Sequence, residues 1–149
     1  MMAKWSIPFD KLAKKYEQDL TDVVRSACMM MSSQIILRTP VDTGRLRSNW
    51  LPALGSPDKS TNDGSDTTGT VAISNAEEVA MSMKAGETFY LTNSLPYANV
   101  VEYGLYPNPP KTGTKTVGGY SRQAPVGMVR VVVRDFKSTV EKAVKRRKA

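Results

Sequence analysis

The chain has 149 residues, 40% hydrophobic and 23% charged, with 21 Lys plus Arg against 14 Asp plus Glu for a formal charge of +7; that is one domain's worth of chain, long enough to bury a core without metals or disulfides. It contains no histidine and a single cysteine, Cys28, which excludes Ser-His-Asp and Cys-His nucleophilic machinery and an internal disulfide, and argues against a zinc centre. No stretch approaches the roughly 18 to 20 apolar residues of a bilayer span, and the first twenty residues turn charged before a signal-peptide core could form, so the expectation is a soluble intracellular protein.

From Phe9 the apolar positions Leu12, Ala13, Tyr16, Leu20, Val23, Val24, Ala27 and Met30 or Met31 recur at three- and four-residue steps, one face of an amphipathic helix. Pro8 suits its entry and Pro40 ends it. About 30 residues at ~1.5 Å each make a rod of roughly 45 Å. A domain this small cannot cover all of it, so part is expected to pack on a neighbour. The run Pro40-Val41-Asp42-Thr43-Gly44 reads as a turn. Residues 46–54 read as a strand, limited to an edge or an end by Pro52. Residues 55–69 form a polar loop with nothing to bury, expected to be mobile.

Helical spacing returns over 71–83 through Ala72, Ala76, Val79, Ala80 and Met83, with 84–86 as its C-cap. Residues 87–93, short, aromatic and alternating, are the best strand. A turn follows at 93–96, then a short helix over 97–103 closing at Gly104. Residues 105–120, rich in Pro and Gly, read as a second long loop. Residues 128–133 have strand propensity, yet Val129, Phe136, Val140 and Ala143 or Val144 keep a helical step; helix is preferred, because the period outruns strand length. The whole, 1–149, reads as one α+β domain with flexible loops at 55–69 and 105–120 and a basic tail at 142–149.

Charge is polarised along this order, with net −5 over residues 55–104 and net +9 over 105–149. The tail could grip phosphates, as in a small basic nucleic-acid-binding protein, or simply be a solvated helix end that complements the helix dipole. Gly113 to Gly118 has two-glycine spacing but lacks the Lys-Ser/Thr of a phosphate loop. Asp58, Asp63 and Asp66 do not match a calcium loop and read as acidic surface. Glu102, flanked by Tyr97, Tyr103 and Tyr106, reads as a polar contact to a basic side chain such as Arg45 or Arg122. Nothing announces a pocket for carboxylate catalysis.

Three ordered phrases then stand out: TPVDTGRLRSNW at 39–50, LTNSLPYA at 91–98 with VEYG at 101–104, and SRQAPVGMV at 121–129. Together they resemble the tail-completion (minor tail, or neck) proteins of long, non-contractile-tailed phages, the family of protein Z of phage lambda. The resemblance spans about residues 9 to 140 and departs from the family at an insertion-like loop over 107–119.

It implies a long N-terminal helix and a C-terminal helix packed on a small antiparallel sheet, and a structural virion protein with no catalytic residue, cofactor or metal. Such a protein forms a homo-oligomeric ring, a hexamer favoured, at the head-proximal end of the tail, and is assembled in the host cytoplasm. Its partners are the tail tube or tail terminator protein and the head-tail connector proteins; DNA passes through the channel without specific binding, and no membrane is involved. The signature positions it implies as structural or interface residues are Pro40, Asp42, Thr43, Gly44, Arg45 and Leu46 in the first phrase. Asn93, Pro96, Tyr97, Glu102 and Gly104 follow in the second, and Gln123, Ala124, Pro125, Gly127 and Met128 in the third. On this reading Asp42 and Gly44 shape the turn so that Arg45 reaches Glu102, and replacing either lowers stability or assembly.

Overall fold

A computed structural model describes residues 8–107, 109 and 112–148. In chain order the elements are helix α1 (Phe9–Arg38), a single helical turn α2 (Arg45–Ser48), strand β1 (Leu51–Leu54), helix α3 (Thr70–Ser82), strand β2 (Phe89–Thr92), helix α4 (Ala98–Tyr103), strands β3 (Thr116–Val117) and β4 (Tyr120–Ser121), and helices α5 (Arg130–Arg134) and α6 (Phe136–Lys148). The class is α+β.

Helix α1 is the spine. Helix α3 lays Ala72, Ala76 and Ala80, one small side chain per turn, into the core, which lets the two helix backbones approach closely. Helix α6 runs back along the other side of α1, where Arg147 pairs with Asp19 and, at 3.2 Å, with Asp22. Strands β1 and β2 are antiparallel, with Leu51 opposite Thr92 and Leu54 opposite Phe89. A two-stranded sheet is all edge, so Pro52 sits in β1 at no cost to a second ladder. The core gathers at the C-terminal end of α1, where Ile35 and Ile36 meet Leu46, Trp50, Leu95, Ala98, Met128, Val131 and Val132.

Four expectations need correction. The strand expected over 46–54 begins only at Leu51, because residues 45–48 make a helical turn that buries Leu46 and is held by Asn49, whose Nδ2 donates to the Arg45 carbonyl at 2.8 Å. The 55–69 loop does bury something. Asp66 lies inside and accepts the N–H groups of Gly69 and Ala72 at 2.9 Å each, capping α3. The 105–120 loop contains a hairpin, β3 with β4 across Gly118-Gly119, whose two-residue strands are too short to leave a periodic trace. The last segment is helical as expected, but in two pieces broken at Asp135; residues 142–148 are the final turns of α6.

Candidate functional site

The three sequence phrases, far apart in the chain, converge on one face beside the C-terminal end of α1. The first phrase locks the end of that helix. Thr39 Oγ1 donates to the Ile35 carbonyl and accepts the indole N–H of Trp50, both at 2.8 Å. The Arg47 guanidinium donates to the carbonyls of Leu37 and Thr39, which the helix terminus leaves open, and to that of Thr67 in the loop before α3. Gly44 follows with φ of 86°, and a Cβ there would stand 2.7 Å from the Asp66 backbone nitrogen. Only glycine fits both the angle and the space.

The second phrase is tied to the first by Asn93, whose Nδ2 donates to the Leu46 carbonyl at 2.8 Å. The third is tied to the first by Gln123. Its amide nitrogen donates to the Val41 carbonyl and its oxygen accepts the Val41 N–H, both at 2.8 Å, so one side chain imitates a strand pair.

Glu102 joins the second phrase to the third. Its buried carboxylate accepts the backbone N–H groups of Met128 (2.6 Å), Val129 (2.8 Å) and Arg130 (2.9 Å) and the Arg130 Nε at 3.0 Å. Those are the open donors at the start of α5, where negative charge is favoured. Burial alone would raise this carboxyl's pKa; the hydrogen bonds from Val129, Arg130, Met128 and the guanidinium outweigh it and hold the group below the usual carboxylate range. Gly127, with φ of 84°, brings the chain within reach, since a Cβ there would meet the Glu102 carbonyl oxygen at 2.7 Å. Arg130 also lies over the Tyr103 ring, 4.6 Å from its centroid.

The expected Arg45–Glu102 contact is therefore not present. Arg45 pairs with Asp63 at 3.3 Å, and Arg122 donates to the Gly113 carbonyl. Glu102 takes backbone donors and Arg130 instead, because α5 starts beside it. Asp42 is exposed and meets Lys115 at 3.6 Å, while Thr43 Oγ1 accepts the Arg45 N–H at 3.3 Å. Gly104 caps α4, Ala124 and Met128 are buried, and Pro96 and Pro125 are exposed. Sequence reasoning missed Arg130, Asp66 and Asn49. Asp66 lies four residues before α3 rather than at its N-cap, so no capping signal marked it.

Above this locked base lies a half-open groove of about 470 Å³. Its walls are the first-phrase turn from Pro40 to Leu46, with Tyr97, Val100 and Val101 of the second phrase, Tyr106, and Ser121 to Gln123 of the third; Arg45, Lys115 and Arg122 also line it. Among the described residues Asp42 is the one carboxylate that lines the groove. Among the described residues no three His, Cys, Asp or Glu side chains come together as a metal would need, and no helix is long and apolar enough to cross a membrane. Burial raises the pKa of the Cys28 thiol, away from thiolate chemistry.

The three phrases thus meet around one groove that is mostly apolar and has Arg45, Lys115 and Arg122 in its lining. Residues 8–104 match the family described as "Bacteriophage HK97-gp10, putative tail-component", and the chain belongs to that family of structural virion proteins. The matched span contains the first two phrases and ends at Gly104; the third phrase lies beyond it. Comparison with curated proteins and with solved structures returns no match.

Proposed function

We propose that this protein is a tail-completion protein, of the type of protein Z of phage lambda, that forms a ring at the head-proximal end of a phage tail tube and joins the tail to the head. The observation that carries this reading is membership of the tail-component family over residues 8–104. The long helix, with Phe9, Tyr16 and Leu20 exposed on one face of its first turns, supports it, since a subunit of a closed ring must offer apolar surface to its neighbours. So does the groove at the other end of the same helix. A hexamer is the favoured copy number, the tail tube or terminator and the connector are the flanking partners, and DNA passes through the channel without being read.

The test is genetic and visual. A phage carrying a nonsense mutation in this gene accumulates filled heads and separate, full-length tails under the electron microscope, and added purified protein joins them. Virions with normal tails attached to heads, formed without the protein, would overturn the reading.

A further inference from the structure

Exposed apolar side chains also occur on α3 and α5–α6, but two apolar surfaces stand at opposite ends of α1. At the start of the helix Phe9, Tyr16 and Leu20 are 86%, 60% and 66% exposed. With about 100° of turn per residue these side chains share one face. Asp10 and Glu17, both exposed, run along one edge of that stripe, while Lys11, Lys14 and Lys15 lie on the opposite side of the helix. At the other end is the groove, which opens at Pro40, two residues beyond the last residue of α1, and has Tyr106, 62% exposed, on its wall. Its lining carries three cations, Arg45, Lys115 and Arg122, against one acid, Asp42.

We infer that the acid-edged stripe of one copy seats in the cation-rimmed groove of the next, so that a single head-to-tail contact, repeated, closes the ring. The inference rests on the ring reading above and names the contact that builds it. The partner is a second copy of this chain for three reasons. The stripe cannot fill its own groove, because the helix between Tyr16 and Pro40 holds them roughly 35 Å apart. The charges match in sign, with Asp10 and Glu17 beside the stripe (Lys84 lining the cleft next to Glu17) and three cations to one acid in the groove lining. There Arg45 pairs with Asp63, Lys115 with Asp42, and Arg122, among the described residues, with no carboxylate. The size fits as well: two aromatic rings with Leu20 and Val24 offer on the order of 400 Å² of apolar area. At the roughly 57% apolar share of ordinary interfaces, that makes a patch of about 700 Å², near the ~800 Å² per partner of a standard interface. Because the two patches differ, the contact is heterologous, the kind that generates rings.

The experiment is sedimentation velocity on the full chain and two variants, each first checked for unchanged helicity and melting temperature. Tyr16→Asp with Leu20→Asp spoils the stripe and leaves the groove; Tyr106→Asp spoils the groove and leaves the stripe. The wild type is expected to sediment as a closed oligomer, and each variant alone as a monomer with self-association weakened at least tenfold. Mixed in equal amounts, the variants retain one productive contact and form a one-to-one dimer that grows no further. Either variant keeping the ring, or the mixture staying monomeric, would sink this contact while leaving the ring reading in place. A wild type monomeric at hundreds of micromolar would overturn both.

Discussion

The two ends of α1 carry the same apolar period and meet opposite fates. Toward its C-terminus the helix buries Ile35 and Ile36, its last carbonyls are taken by Arg47, and Thr39 is fixed between Ile35 and Trp50. Toward its N-terminus Phe9 and Tyr16 face outward, and Leu20, still mostly exposed, lines a shallow cleft against the segment from Met83 to Glu87. Periodicity therefore reports that a face is apolar, not who covers it. One end is settled by the chain's own contacts; the other is left for assembly.

The largest expected effects lie at the settled end and would break the comparison if absent. Gly44→Val places a branched side chain at φ of 86° and against the Asp66 backbone at 2.7 Å. Strain and overpacking together should cost about 4 kcal/mol, or roughly 10 °C in melting temperature for a domain of this size. Ile36→Ala empties a site with no solvent exposure and should cost about 3 kcal/mol. Thermal or urea unfolding reads both. Values under 1 kcal/mol would mean that the C-terminal end of α1 is not the anchored one.

The next effect, smaller and dependent on pH, sharpens the account of the anchor. Glu102→Gln replaces an oxygen that accepts N–H donors by an amide nitrogen that cannot, at an expected cost of about 2 kcal/mol near neutral pH. The carboxyl titrates lower in the folded chain than in the unfolded one. On acidification the unfolded state takes up the proton first. The stabilisation is thus complete above the ordinary carboxylate range, from about pH 5 upward, and is lost as pH falls through the folded-state value. Melting curves from pH 7 down to pH 3 should show the gap between wild type and Glu102→Gln narrowing steadily. A gap that stays constant would mean the carboxylate's charge plays no part in holding α5.

The residues around that anchor also show how far the sequence could be read. Helix α1, α3 and the α4 turn closing at Gly104 were legible from spacing and punctuation, because each is a local pattern of side chains. The preference for helix over strand at the C-terminus held for the same reason, the period extending into α6. What failed was partner choice. Glu102 was matched to Arg45 or Arg122 by charge, but its main partners are backbone N–H groups of residues 128–130, which no residue type advertises. Gln123 grips the Val41 backbone across 82 positions for the same reason. Asp66, set in a polar run, passed for loop surface because only the arrival of α3 makes it a cap. The phrases marked which residues matter, and the fold supplied what each one touches.

The smallest expected effects on stability fall at the bare end and on the exposed rim, and they sharpen the comparison by being small. Phe9→Ala removes a ring that is 86% exposed, so melting temperature should move by less than about 0.5 kcal/mol equivalent. Asp42→Ala removes one exposed carboxylate whose ion pair with Lys115 spans 3.6 Å, a pair of the kind worth about 0 to 1 kcal/mol. That revises the expectation drawn from the first phrase, in which Asp42 and Gly44 served the turn alike: Gly44 is required by geometry, whereas Asp42 stands in solvent at the edge of the groove. The two variants should then part company in assembly. Phe9→Ala thins the stripe and should shift the oligomer toward monomer; Asp42→Ala frees Lys115 from its carboxylate, makes the groove lining more positive and should strengthen association at low salt. Sedimentation at about 50 mM and about 500 mM salt separates these outcomes, because a charge effect fades with screening and an apolar one does not. A large drop in melting temperature for Phe9→Ala would show that the first turns of α1 are held by the chain itself, and the contrast between its two ends would be gone.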